Sequence, residues 1–346
     1  MERRITHKDI ADKLGVDKST VSLALSKNPR ISAATKKRVR DMARQLGYRP
    51  DPIRSLLARD RWSGHHCETG IGIAYFVHSG MPQLHLHRKF LEAARARALE
   101  RGYALTEFDL ATYPSATGLA RVLSARGIRG ILLPQFLTDP GVGRMLVAQD
   151  EFAVICLDNG RWRLPFHHVS PNIFATTRML WKEVLNRGYR RIGGAILCHT
   201  PPAIDDWSRL GGSIVAQTEL LPAENCVPLL RTSFDDYPAF ERWLNEYRPD
   251  AVIGLLPAVH DWLVRAGTRV PRDIGFASLI FNPKLPDQRI FSGFLAQDDA
   301  VAEAGVDALI AAIMANQTGL PQLQHELLVD PVWHEGSTLP HKNASK

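Results

Sequence analysis

Lys18, Ser19, Ser22 and Leu23 are spaced so that one face of an α-helix carries all four. The types have a definite use together. A lysine donates to guanine O6 and N7, a serine hydroxyl can donate to or accept from a base edge, and a leucine packs on a thymine methyl. The neighbouring residues supply the elements that would hold such a face against DNA. Thr6 can cap a first helix, with Asp9 three residues later in the reciprocal capping position. Ile10, Ala11 and Leu14 then form an apolar stripe, and Gly15 ends the helix because it accepts a left-handed backbone. Asp17 is placed to cap a second helix, Lys18–Ser26, whose inward face is Val21, Ala24 and Leu25. Small Ala11, turning Gly15 and wedging Val21 make this pair a helix-turn-helix unit.

A third helix begins after Ser32. Its inner face is Val39, Met42, Ala43 and Leu46, its outer face Lys36, Lys37, Arg38, Arg40 and Arg44, and Gly47 stops it ahead of Pro50 and Pro52. Charge is concentrated in this part of the chain. Residues 1–62 hold 16 Lys and Arg against 7 Asp and Glu, a net of +9, whereas the remainder holds 27 against 29, a net of −2. A basic amino-terminal module on a near-neutral body is what contact with phosphates requires.

Other chemistries find little support. Gly70-Ile71-Gly72 precedes the first apolar strand and the next fingerprint position is Tyr75, so no dinucleotide site is formed. There is no phosphate-binding P-loop, GxSxG elbow or HExxH pair, and His167 and His168 read as surface or lobe-crossing residues. His65, His66 and Cys67 are adjacent, a spacing that does not easily close a tetrahedral metal site. The expectation is therefore no enzyme, no cofactor and no metal. Cys67, Cys156, Cys198 and Cys226 are widely spaced, which suits free thiols in a reducing cytoplasm. With no run of about 18 apolar residues, neither secretion nor membrane insertion is expected.

Residues 5–58 resemble the DNA-binding headpiece of the lactose-repressor (LacI/GalR) family of bacterial transcription regulators. The likeness is carried by DIADKLGVDKSTVSLALS and then by ISAATKKRVRDMARQLGYRPDPIRSLLA. It implies a headpiece over 1–49, a hinge helix and linker over 50–69, and a core over 70–340 that binds a ligand and dimerises. In the hinge, Leu57 matches the apolar wedge that enters the minor groove, followed by Ala58. Lys18, Ser19, Ser22 and Leu23 would read bases, with Thr6, Thr20 and Asn28 at the DNA backbone.

From Ile71 onward apolar runs at 71–77, 103–108, 130–134, 153–157, 191–197, 251–256, 274–280 and 292–296 read as strands. Helices near 86–101, 115–126, 141–150, 172–187, 208–220, 237–246, 258–266 and 298–315 separate them. That alternation implies parallel sheets covered on both faces. It is similar to the family's core, two doubly wound lobes of the type I periplasmic-binding-protein fold. The likeness is firm at 169–196, 270–275 and 327–338 and thinner elsewhere. Lobe 1 is expected at about 70–162 and 292–322, lobe 2 at about 163–291 and 323–340. The whole fold class is thus an all-α helix-turn-helix headpiece plus an α/β core of two parallel-sheet lobes.

In the cleft, the resemblance places Asp158 of the first lobe and Arg209 of the second against a hydroxylated effector, with Gln297 a third candidate. Relatives usually carry Asn-Asp where this chain has Pro257-Ala258 after Leu256, and Gly-Phe-Asp-Asp where it has Ser278-Leu279-Ile280-Phe281. The lost carboxylates argue against a simple monosaccharide. Trp162, Trp207 and Phe281 either line a more apolar pocket or belong to the core. The expected protein is a cytoplasmic, nucleoid-associated homodimeric repressor that binds a double-stranded operator and answers to a small molecule, with carbohydrate-derived compounds as the candidate class. The alternatives are a receptor with a vestigial headpiece and an effector-independent regulator.

The hinge assignment generates a test. Leu57→Ala is expected to reduce specific affinity and DNA bending while sparing weak, salt-sensitive non-specific binding. A circular-permutation gel assay in which the variant bends DNA as the wild type does contradicts the wedge.

Overall fold

The computed structural model describes residues 5–25, 31–48, 71–80, 88–113, 115–134, 151–157 and 163–342. Asn28, Leu57, Ala58, the connector at 60–69, the helix expected at 141–150, Asp158 and Trp162 lie outside them. Contacts divide the chain into two units, Met1–His66 and Cys67–Lys346.

Among the described residues the first unit has three helices: α1 (His7–Leu14), α2 (Lys18–Leu25) and α3 (Ala33–Gln45). Local chemistry sets their ends. Asp9 accepts hydrogen bonds from both the backbone N–H and the hydroxyl of Thr6, each at 2.7 Å. Gly15 takes φ 65°, and the Ser32 hydroxyl accepts the Thr35 N–H at 3.2 Å. Ile10, Ala11, Val21, Ala24, Val39 and Ala43 then close a buried core, with Leu14, Met42, Leu46 and Tyr48 packed around it. Only three of those six are larger than alanine. At about 1.5–3 kcal/mol for each fully buried Ile or Val, little stability is held in reserve.

The second unit contains two six-stranded sheets. The first lobe's strands are β1 (Gly72–Val77), β2 (Ala104–Asp109), β3 (Ile128–Pro134), β4 (Ala153–Leu157) and β5 (His167–Pro171), with α4 (Leu91–Glu100) and α5 (Ala116–Ala125) between them. The second lobe begins with α6 (Ile173–Asn186), β6 (Ile192–Leu197), α7 (Ile204–Leu220), β7 (Leu230–Thr232), α8 (Tyr237–Tyr247) and β8 (Ala251–Gly254). It continues through α9 (Leu256–Arg265), β9 (Gly275–Phe281) and β10 (Ser292–Leu295). Then follow α10 (Asp298–Ala315), β11 (Glu326–Val329) and β12 (Trp333–His334).

Strand order is β11-β5-β4-β3-β1-β2 in one sheet and β12-β10-β9-β8-β6-β7 in the other, all parallel except the antiparallel β12. Every residue of β1, β4 and β6 is buried, as strands covered by helices on both faces require. Helix α10 lies close on the first sheet. A Cβ on Gly305 would run into the Leu157 side chain, and one on Gly130 would meet that of Leu309 at 2.9 Å, so both glycines ease that approach.

The lobe boundaries differ from the expected ones. β5, expected in lobe 2, pairs with β4 in the first sheet, and β10, expected in lobe 1, pairs with β9 in the second. β11 pairs with β5 in the first sheet, so only the segment from β12 onward returns to lobe 2 as the tail was expected to. The chain therefore crosses between lobes after β5, after β10 and after β11. The pairings decide the matter physically, because β5 and β10 each have a hydrogen-bonded neighbour on the other side of the expected cut, and β11 joins the sheet that holds β5. β5, β7, β11 and β12 were not foreseen as strands at all. Among the described residues no helix is long and apolar enough to cross a membrane.

The carboxyl-terminal segment is fastened to α6 by Arg187, whose side chain is only 4% exposed. The guanidinium donates twice to Glu335, at 2.6 and 2.7 Å, once to Glu183 at 2.9 Å and once to the Leu339 carbonyl at 2.8 Å, and it lies over the Trp333 ring at 4.9 Å. Arg187→Ala removes these charge-assisted bonds together with the packing. A loss of about 2–4 kcal/mol is expected, read as a lower urea midpoint of the core's transition; an unchanged midpoint contradicts the clamp.

Candidate nucleic-acid interface and effector site

Burial of Val21 and Ala24 fixes how α2 is rolled, since both are fully enclosed. Lys18, Ser19 and Ser22 are consequently exposed, with Lys18 above Ser22 and Ser19 above Leu23 in adjacent four-residue rows. Leu23 departs from the expectation of a wholly outward face, for it is half-buried, as is Thr20. Thr6 is exposed at the amino end of α1. The outer side of α3 is basic as read, with Lys37, Arg38, Arg40 and Arg44 exposed and Lys36 half-buried. Sequence spacing did not reveal one pair in this unit: the Tyr48 hydroxyl and His7 Nε2 are 2.6 Å apart.

In the core, Arg209 stands in the second turn of α7, 3% exposed and paired with Asp206, itself 1% exposed. Asp206 is the organising carboxylate. It accepts the His199 backbone N–H at 2.9 Å and the Ala203 N–H at 2.8 Å, and His199 Nδ1 lies 3.0 Å away. Burial alone would raise its pKa, but the bonds from His199 and Ala203, with the charge of Arg209, outweigh that and bring it down to about 2. Arg209 Nε is buried and without a hydrogen-bond partner among the described residues.

This cluster sits where α/β sheets present ligands, beyond the carboxyl ends of parallel strands. There β6 has β8 on one side and β7 on the other. Past β6 and β7 lies an open groove of about 300 Å³ lined by Cys198, His199, Thr200, Pro202, Arg231, Thr232 and Ser233. Arg231 lies over the ring of half-exposed Trp207 at 4.7 Å.

Of the other expected cleft residues, Gln297 precedes α10 and donates to the Leu295 carbonyl at 3.1 Å. Among the described residues no hydrogen bond joins it to Arg209. Phe281 belongs to the core: it is 1% exposed and meets Phe291 edge to face at 5.9 Å. Helix α9 opens with Pro257 in its first turn and no acidic residue there. His167 Nδ1 accepts the His325 N–H at 3.0 Å and its ring stacks on His325, so it fastens β5 to the segment before β11.

Removing Asp206 strands a buried cation. Asp206→Ala is expected to cost about 3–5 kcal/mol, with much of the loss recovered in the Asp206→Ala/Arg209→Met double variant. Because the folded-state pKa is depressed, the stabilisation is complete above the ordinary carboxylate pKa of about 4 and fades as pH falls toward 2. Urea midpoints across that range check both statements, and a single variant as stable as wild type at pH 7 contradicts them.

Residues 6–51 match the model of the bacterial regulatory proteins of the lacI family. No curated protein matches the chain in sequence. Among solved structures, the transcriptional regulator CelR in complex with cellobiose is similar at 17% identity and TM-score 0.57, over 97% of this chain and 100% of that one. The lac repressor dimer bound to operator and the anti-inducer ONPF is similar at 18% identity and TM-score 0.58, over 98% and 100%. A LacI family transcriptional regulator from Enterococcus faecium with bound ribose is similar at 13% identity and TM-score 0.57, over 79% and 100%. Residues 6–51 thus form a headpiece of the lacI type, and the core has the fold of these solved regulators.

Proposed function

We propose that the protein is a sequence-specific DNA-binding transcription regulator, a repressor that works as a homodimer on a two-fold operator in the bacterial cytoplasm, associated with the nucleoid. The observation that carries this reading is the family match over a folded headpiece whose buried Val21 and Ala24 turn Lys18, Ser19 and Ser22 outward. One short helix supplies little specific affinity, which is why paired half-sites are expected. Leu57 and Ala58 are assigned to the minor groove, and Thr6, Thr20 and Asn28 to the DNA backbone.

A small molecule held at the carboxyl ends of the second lobe's strands would set operator affinity. Structural neighbours hold cellobiose and ribose, which supports a carbohydrate-derived effector. Asp158, Arg209 and Gln297 are the assigned contacts. One observation favours a second reading, a regulator that needs no effector: the Arg209 guanidinium is already bound by the chain's own Asp206. Under the first reading the ligand takes what Asp206 leaves, and a thermal-shift screen of sugars, sugar acids and nucleosides separates the two. A hit that Arg209→Met abolishes supports the effector, whereas a screen without hits supports the second reading.

For the headpiece, Lys18→Ala is expected to alter sequence preference by about 1–3 kcal/mol at one or two base pairs. Selection of genomic fragments by wild type and variant reads this directly. A variant that weakens on all sequences equally contradicts base reading by Lys18.

A further inference from the structure

His7 and Tyr48 are 41 positions apart, and their meeting is made by the headpiece fold. Their rings lie 5.2 Å apart at 47°, with the Tyr48 hydroxyl 2.6 Å from His7 Nε2. His7 is the first residue of α1, next to exposed Thr6, and the charged group acting on it from α2 is Lys18. Thr6 and Lys18 are already assigned to DNA, so His7 follows one proposed contact in sequence and feels the charge of another from α2.

We propose that His7 is a further DNA-backbone contact, donating its Nδ1–H to a phosphate oxygen, with ring orientation and tautomer fixed by Tyr48. The proposal rests on the DNA-binding reading. Its chemistry follows from the hydrogen bond. A phenol is a better donor than acceptor, so the Tyr48 O–H donates to Nε2, which places the proton of a neutral imidazole on Nδ1. No hydrogen bond to Nδ1 is made among the described residues. Burial first, and then the charge of Lys18, lower the His7 pKa, so the free protein presents a neutral donor at pH 7.

A phosphate beside Nδ1 reverses the balance, because its negative charge favours the imidazolium. The His7 pKa is therefore higher in the complex than in the free protein, and binding takes up a fraction of a proton. Affinity accordingly rises as pH is lowered from about 8 toward 6.

The experiment uses full-length wild type, His7→Asn and His7→Leu against the tightest-binding genomic fragment recovered by selection with the wild type. Asparagine keeps a donor near the Nδ1 position and cannot titrate; leucine keeps bulk against Tyr48 and donates nothing. At about pH 7 His7→Leu is expected to bind about tenfold more weakly, with His7→Asn in between. Calorimetry in two buffers of different ionisation enthalpy is expected to show proton uptake by wild type that exceeds uptake by His7→Asn. Equal uptake by wild type and His7→Asn overturns the contact, and it does so even where His7→Leu fails to fold. A wild type that selects no preferred fragment instead overturns the DNA-binding reading beneath it.

Discussion

Burial of Val21 and Ala24 against Ile10, Ala11, Val39 and Ala43 is the constraint on which the helical first unit depends. A helix of eight residues is too short to hold its shape alone, and packing decides both that it forms and which face it shows. With three alanines among those six residues, α1, α2 and α3 pack on a small core that sets which face of α2 is exposed. The same economy makes the headpiece vulnerable, since its fully buried centre is small and its larger side chains, Leu14, Met42, Leu46 and Tyr48, are only partly buried around it. Hydrogen bonds at the helix ends, from Thr6 to Asp9 and from Thr35 to Ser32, and the Tyr48–His7 bond compensate in part.

The core uses a different device. Its two lobes are sheets buried on both faces, and three crossings of the chain join them. At the carboxyl end of β6 a single carboxylate, Asp206, ties the loop after the strand to the first turns of α7 and neutralises Arg209. Removing a charge of this kind is costly because its partner stays buried. At this end of the second lobe the Arg209 guanidinium is thus engaged by the chain's own carboxylate, and the Trp207 ring lies beneath Arg231.

What the sequence disclosed follows the range of the interactions. Gly15, Ser32 and the spacing of Val21 and Ala24 act within a few residues, so the headpiece was legible from local pattern. Alternating apolar runs likewise disclosed parallel sheets covered on both faces, and their division into two lobes came from the resemblance. Which sheet a strand joins is a long-range matter, and β5 and β11 escaped because HHVSP lacks an apolar run and Leu327 and Leu328 in ELLV remain about half exposed. Helix α7 was expected from 208 but begins at Ile204. Pro201, Pro202 and Ala203 offer no polar side-chain cap, and Asp206 serves instead by accepting the Ala203 N–H. Reading Asp206 and Arg209 as one turn of helix would have revealed their pairing. The His7–Tyr48 bond carries no local signal.

Footprinting of the full-length protein on its genomic DNA at near-physiological salt tests the central claim most directly. A dimeric base-reading regulator gives a discrete protected site with two-fold symmetry, two half-sites about one helical turn apart centre to centre, and retains that site as salt is raised. Protection spread over all sequences and lost uniformly with salt would be non-specific phosphate binding, and it would contradict the assignment of α2 as a reader of bases.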